Sequence, residues 1–191
     1  MILRPHFFWG VQNADAPPRM NVFLVGPMGS GKSAVGRQLA QRLALEFIDS
    51  DAEIEARTGV DIAYIFEREG EAGFRSREAE VIDALSRRDR VLVSTGGGAI
   101  LDASTRERLR ARGRVVYLRT SVDQQLARTR RSNDRPLLNN DDPRGTLERL
   151  FEQRAPFYTE VAEIVVDTDG RKVKAVVDQI CHQLGIDGVE P

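Results

Sequence analysis

Residues 20–33 read Met-Asn-Val-Phe-Leu-Val-Gly-Pro-Met-Gly-Ser-Gly-Lys-Ser, an apolar run that passes directly into G-x-x-x-x-G-K-S at Gly26–Ser33. The next residues place Val35, Leu39 and Leu43 four apart, the spacing of a helix with one apolar stripe. Strand, glycine loop and helix in that order decide the fold. Gly26, Gly29 and Gly31 let the backbone turn its N–H groups inward around phosphate oxygens, with Ser30 between them and Ala34 opening the helix. Lys32 supplies a point charge for β and γ phosphates, Ser33 offers a hydroxyl to Mg²⁺, and the helix aims its positive end at the same point. A glycine-rich turn of chance composition would lack the strand before it and the helix after it.

Working outward, short apolar runs at 21–25, 46–49, 91–95, 114–118 and 163–167 alternate with helical patterns. That alternation predicts crossover units and a mostly parallel sheet. The helix predicted at 72–88 puts Phe74, Val81, Ile82 and Leu85 on one stripe. The helix predicted at 171–184 does the same with Val173, Val176, Val177, Ile180 and Leu184. Polar residues follow the strands: Asp49-Ser50-Asp51 the second, Thr95-Gly96-Gly97-Gly98 the third, Thr168-Asp169-Gly170-Arg171 the fifth. All fall at carboxyl ends of strands, the edge at which open parallel sheets bind ligands.

The chain of 191 residues carries 28 lysines and arginines against 29 acids, a balance that suggests neither a nucleic-acid nor an anionic-membrane partner. Cys181 stands alone, and with His6 and His182 it makes no zinc set, so a reducing cytoplasm is expected. The apolar residues near the N-terminus are broken by Arg4, Pro5 and His6, short of a signal-peptide core, and no stretch reaches membrane-spanning length. Residues 1–19, with three prolines and no sustained period, read as a disordered extension, and Met20, at the start of the first strand, as the true start. One domain over 20–187 is expected, with a tail at 188–191.

Asp49 and Asp51 are two apart, so an extended chain would point both carboxylates to one side. Asp49 suits a water-mediated hold on Mg²⁺, and Asp51 suits hydrogen bonding to, or deprotonation of, a substrate hydroxyl. Asp51 also suits an N-cap for a helix over 52–58. The third strand ends in glycines where many phosphate-loop proteins have a metal-binding acid, which leaves the metal to Asp49. Gly96, Gly97 and Gly98 then offer bare backbone to a small polar ligand. An arginine fork recognises a carboxylate bidentately, so Arg75 and Arg154 could clamp one acidic substrate. From spacing alone, however, a surface pair with Glu78 fits Arg75 better, and a favourable charge at a helix end before Pro156 fits Arg154 better. Segment 128–142 combines arginines with a polar loop, the composition of a lid that excludes water from phosphoryl transfer, and Arg128 and Arg135 are its candidates for nucleotide contact.

Taken in order, GPMGSGKS, DSD, GFRSRE, STGGG, RPLL and QRAPFY resemble the shikimate kinase family over residues 20–185. The resemblance implies an α/β three-layer P-loop kinase fold, a five-stranded parallel sheet in order 2-3-1-4-5 flanked by helices, with a substrate-binding region near 50–80 and a mobile lid near 128–142. It implies ATP with Mg²⁺ as cofactors, shikimate as acceptor through its 3-hydroxyl, and a monomer. Lys32 and Ser33 would serve ATP and Mg²⁺ with Asp49. Asp51 would be substrate ligand and base, Arg75 and Arg154 would hold the carboxylate, and Gly97 would donate its N–H. Arg135 would be the lid arginine, with Arg128 and Arg171 beside adenine. Ala34 departs from the family's usual threonine. A gluconate or nucleotide kinase of the same fold, or a P-loop switch, remains as the alternative.

Overall fold

Val22–Val25 (β1) is wholly buried because it lies at the centre of a sheet covered on both faces. The computed structural model describes residues 20–130, 138 and 141–186, so the readings placed on residues 1–19, on Arg135, on most of the 128–142 segment and on the tail lie outside the described residues. Around β1 run Glu46–Asp49 (β2), Val91–Ser94 (β3), Arg114–Arg119 (β4) and Ile164–Asp167 (β5), all parallel, in the order β2-β3-β1-β4-β5. Alternation along β1 sends Val22 and Leu24 to one face, Phe23 and Val25 to the other, and so seeds two cores.

On the first face pack Lys32–Leu43 (α1) and Val173–Gln183 (α7), through Val35, Leu39, Val176, Val177 and Ile180. The opposite core takes Ser50–Thr58 (α2), Ile62–Ser86 (α3), Ala103–Arg112 (α4) and Pro143–Val161 (α6). Val122–Thr129 (α5) packs beside α6 and precedes the undescribed segment. A 3₁₀ turn, Ala99–Leu101, links the third strand to α4.

Four local readings are corrected. The helix expected to begin at residue 72 begins at Ile62, and Gly70, with φ 70° and ψ −178°, breaks it internally. Positive φ is accessible to glycine at little cost, and Arg77 forks onto Glu69 across the break at 2.8 and 2.7 Å. Pro156 does not end a helix: α6 continues to Val161, because burial of Tyr158 and Val161 outweighs the lost backbone bond, so Arg154 lies mid-helix. Asp51 is not a cap and the chain does not stay extended through it, since Asp49 takes the capping role and α2 starts at Ser50. Val173, assigned to the apolar stripe of its helix, is exposed.

Candidate active site

Strand register brings the functional loops to one rim, with Asp49 level with Ser94 and Ser94 level with Leu24, one residue before the end of β1. Gly26, Gly29 and Gly31 all adopt positive φ (146°, 75° and 92°), which curls the loop. Lys32 Nζ donates to the carbonyls of Gly26 and Pro27 at 2.8 and 2.9 Å. The helices α2 to α6 are each capped by an Asp or Ser side chain, whereas α1, with Gly31 at its N-cap, and α7 have no side-chain cap. The first N–H groups of α1 are therefore a ready seat for phosphate oxygens.

Ser33 Oγ donates to Asp49 Oδ2 at 2.8 Å, and Asp49 Oδ1 accepts the N–H of Asp51 at 3.1 Å. A hydroxyl and a carboxylate converging at the loop mouth are hard oxygen donors that suit Mg²⁺. Among the described residues no three His, Cys, Asp or Glu side chains gather as a metal cage. A cation at this position would complete its shell with water and phosphate oxygens.

Each of the three glycines after β3 seats a different side chain. A Cβ on Gly96 would collide with Glu78 Oε1 and lie 2.9 Å from Asp51 Oδ1. One on Gly98 would collide with the Arg75 guanidinium. One on Gly97 would lie 3.6 Å from Arg154 Nη1 and 3.5 Å from Met28 N of the phosphate loop. Acid, arginines and phosphate loop thus meet around bare backbone. The N–H of Gly96 faces inward and donates to Ser50 Oγ at 3.0 Å. Of the three glycines, Gly96 thus has its N–H already engaged by a side chain of α2.

Arg75 donates to Glu78 Oε2 at 2.6 Å and to Glu71 Oε1 at 3.0 Å. The expected surface pair with Glu78 is corrected, because Glu78 is 1% exposed. Burial pushes the Glu78 carboxyl up to about 6, against the pull of Arg75. Burial works against the Arg75 charge, but Glu78 and Glu71 hold the guanidinium above its ordinary value. Arg154 is buried in α6, its pKa lowered chiefly by burial, and its Nε has no hydrogen-bond partner. A buried cation with an unsatisfied donor fits an anionic ligand. Glu78 was missed as a site residue, yet it falls on the stripe of Phe74, Val81, Ile82 and Leu85, and Arg154 likewise shares a face with Leu147, Tyr158 and Val161. A charge on an apolar stripe is the signal that points to both.

Arg128 Nη1 donates to the Gly29 carbonyl at 2.8 Å and Nη2 to the Thr168 carbonyl at 3.2 Å, which ties the phosphate loop to the end of β5. Arg171, just before α7, turns onto that helix and the end of β5, donating to Ala175 O at 2.9 Å, to Asp167 O and to Gln179. Ala34 is exposed on the first turn of α1.

A family model described as shikimate kinase matches residues 28–185. A shikimate kinase of Shewanella amazonensis is 55% identical over 167 residues, covering 87% of this chain and 98% of the relative. The structure of Acinetobacter baumannii shikimate kinase in complex with shikimate superposes with a TM-score of 0.87 at 45% identity, covering 91% of this chain and 97% of that one. A gluconokinase of Sinorhizobium meliloti reaches a TM-score of 0.51 at 18% identity over 89% of this chain and 98% of its own, which is likeness of fold alone.

Proposed function

The chain belongs to the shikimate kinase family, and from that premise we propose that it transfers the γ-phosphoryl group of ATP to the 3-hydroxyl of shikimate, giving shikimate 3-phosphate and ADP in aromatic amino acid biosynthesis. The observation that carries the assignment is the triple-glycine seat, which gathers Asp51, Glu78, Arg75 and Arg154 around one stretch of bare backbone beside the phosphate loop.

Arg75 and Arg154 arrive from different helices, so two guanidinium groups grip the acceptor carboxylate and fix which hydroxyl faces the phosphates. Asp51 accepts a hydrogen bond from that hydroxyl and takes its proton as the new O–P bond forms and the bond from the γ-phosphorus to the bridging oxygen of ADP breaks. Lys32 leaves the loop carbonyls for the β and γ phosphates, and the open N–H groups of α1 receive the remaining oxygens. Arg128 stiffens the nucleotide side. Ser33 and Asp49 would hold Mg²⁺, which when bound would neutralise charge on the phosphate oxygens.

The same reading makes residues 20–187 one kinase domain, with its acceptor region near 50–80 and a lid near 128–142 in which Arg135 meets the transferring phosphate. It keeps Arg171 on the adenine side only after its present bonds exchange. It further takes the enzyme as a monomer in a reducing cytoplasm, in keeping with the single buried Cys181. ADP release measured with shikimate, gluconate and nucleoside monophosphates as acceptors tests the assignment. Stimulation by shikimate alone is expected, and stimulation by one of the others instead would overturn it.

A further inference from the structure

Tyr158 lies one helical turn after Arg154, is wholly buried, and takes no part in the chemistry described above. Its hydroxyl donates to the Gly97 carbonyl. Burial raises the phenol far above its ordinary range, and the charge of the nearby Arg154 guanidinium opposes that shift. The ring stacks on Tyr117 with centroids 5.0 Å apart and planes at 21°, which fixes the direction of the hydroxyl. The helix that carries Arg154 is thereby tied, one turn beyond that arginine, to the loop after β3.

The geometry points to Tyr158 as a positioning residue for acceptor binding. Because a trans peptide is planar, holding the Gly97 carbonyl toward α6 aims the N–H of the same peptide, on Gly98, the opposite way. Gly98 is the residue against which the Arg75 guanidinium rests. Arg154 stands one turn before the same phenol on α6, and its Nε remains without a partner in a buried setting. Tyr158 thus sets the distance between the peptide donors and the carboxylate-binding arginine without reaching the ligand itself. The neighbouring Tyr117 offers a control within the same stack: it too is buried, but its hydroxyl has no hydrogen-bond partner. Burial of a phenol here does not by itself require the link.

The inference rests on the proposed acceptor. Wild-type turnover with shikimate checks that reading, and Tyr158→Phe, which keeps the ring and the stack, checks this one. The variant is expected to raise the shikimate KM about tenfold, with the ATP KM unchanged and kcat within about threefold. In an Arg154→Lys background the same substitution is expected to raise the shikimate KM by a clearly smaller factor, because the group through which it acts is already altered. Tyr117→Phe is expected to move neither constant. Equal loss of ATP and shikimate affinity would reduce Tyr158 to general packing, and an unchanged shikimate KM would overturn the proposal outright. Should Tyr158→Phe not fold, Tyr158→His is read by the same split between the two KM values.

Discussion

Glu78→Gln separates what the buried carboxylate does for the acceptor from what it costs the fold. Glu78 sits against Arg75 at 2.6 Å and is 1% exposed, and its carboxyl is pushed from 4.5 up to about 6. At about 1.4 kcal/mol per pH unit, ionising it in the folded state costs about 2 kcal/mol more than in the unfolded chain. The sign follows from the raised value. The stability is fully present below pH 4.5 and is lost as pH rises through 6, since the folded state then gives up a proton it holds more tightly than the unfolded state does. An isosteric amide removes that slope. Whatever fixed change the substitution brings in packing, the variant should gain about 2 kcal/mol on the wild type between pH 4.5 and 7.5. Urea unfolding of both proteins across that range measures it. At the same time Arg75 loses a charge-assisted bond of about 1.5–3 kcal/mol, so the shikimate KM at pH 7.5 should rise at least about tenfold. The wild-type KM should climb toward the variant's as pH falls below 6. A stability difference flat with pH would refute the reasoning, as would an unchanged KM.

Gly98→Ala places a methyl group on the Arg75 guanidinium, the far end of a flexible side chain. Its expected result is a shikimate KM raised about tenfold or more, with the melting temperature nearly kept, and steady-state kinetics with both substrates check it. Asp51→Asn should lower kcat about 10²-fold with nucleotide binding retained in calorimetry; a kcat close to wild type would leave Asp51 as an orienting group only. Ala34→Thr returns a hydroxyl to the exposed first turn of α1 and should lower the ATP KM about threefold, with the shikimate KM unmoved.

The sheet was legible because its parallel strands are buried on both faces and read as continuous apolar runs, Val22–Val25 and Val91–Val93 above all. Strand order was not legible from those runs, since nothing local says which crossover passes which edge; it entered with the family resemblance. The phosphate loop was legible to the residue because its chemistry is contiguous. Glu78 was read as a surface partner because an i, i+3 acid usually is one. Its burial depends on α3 lying across Gly96–Gly98, a contact between distant parts of the chain. Pro156 misled for a related reason: local propensity says stop, and the packing of Tyr158 against Tyr117 says continue. The break at Gly70 gave no sign beyond the glycine itself.

Lys32 already has oxygen partners before any phosphate arrives, in the carbonyls of Gly26 and Pro27. In the proposed reaction nucleotide binding would exchange those bonds for new ones, so the net gain would be smaller than the gross attraction of a cation for a phosphate. On the proposed reading the reverse would hold when product departs: the lysine would return to those carbonyls, and ADP would leave behind no unpaired ammonium. A grip that is partly returned in this way favours turnover over retention, a property suited to an enzyme that must exchange its nucleotide in every cycle.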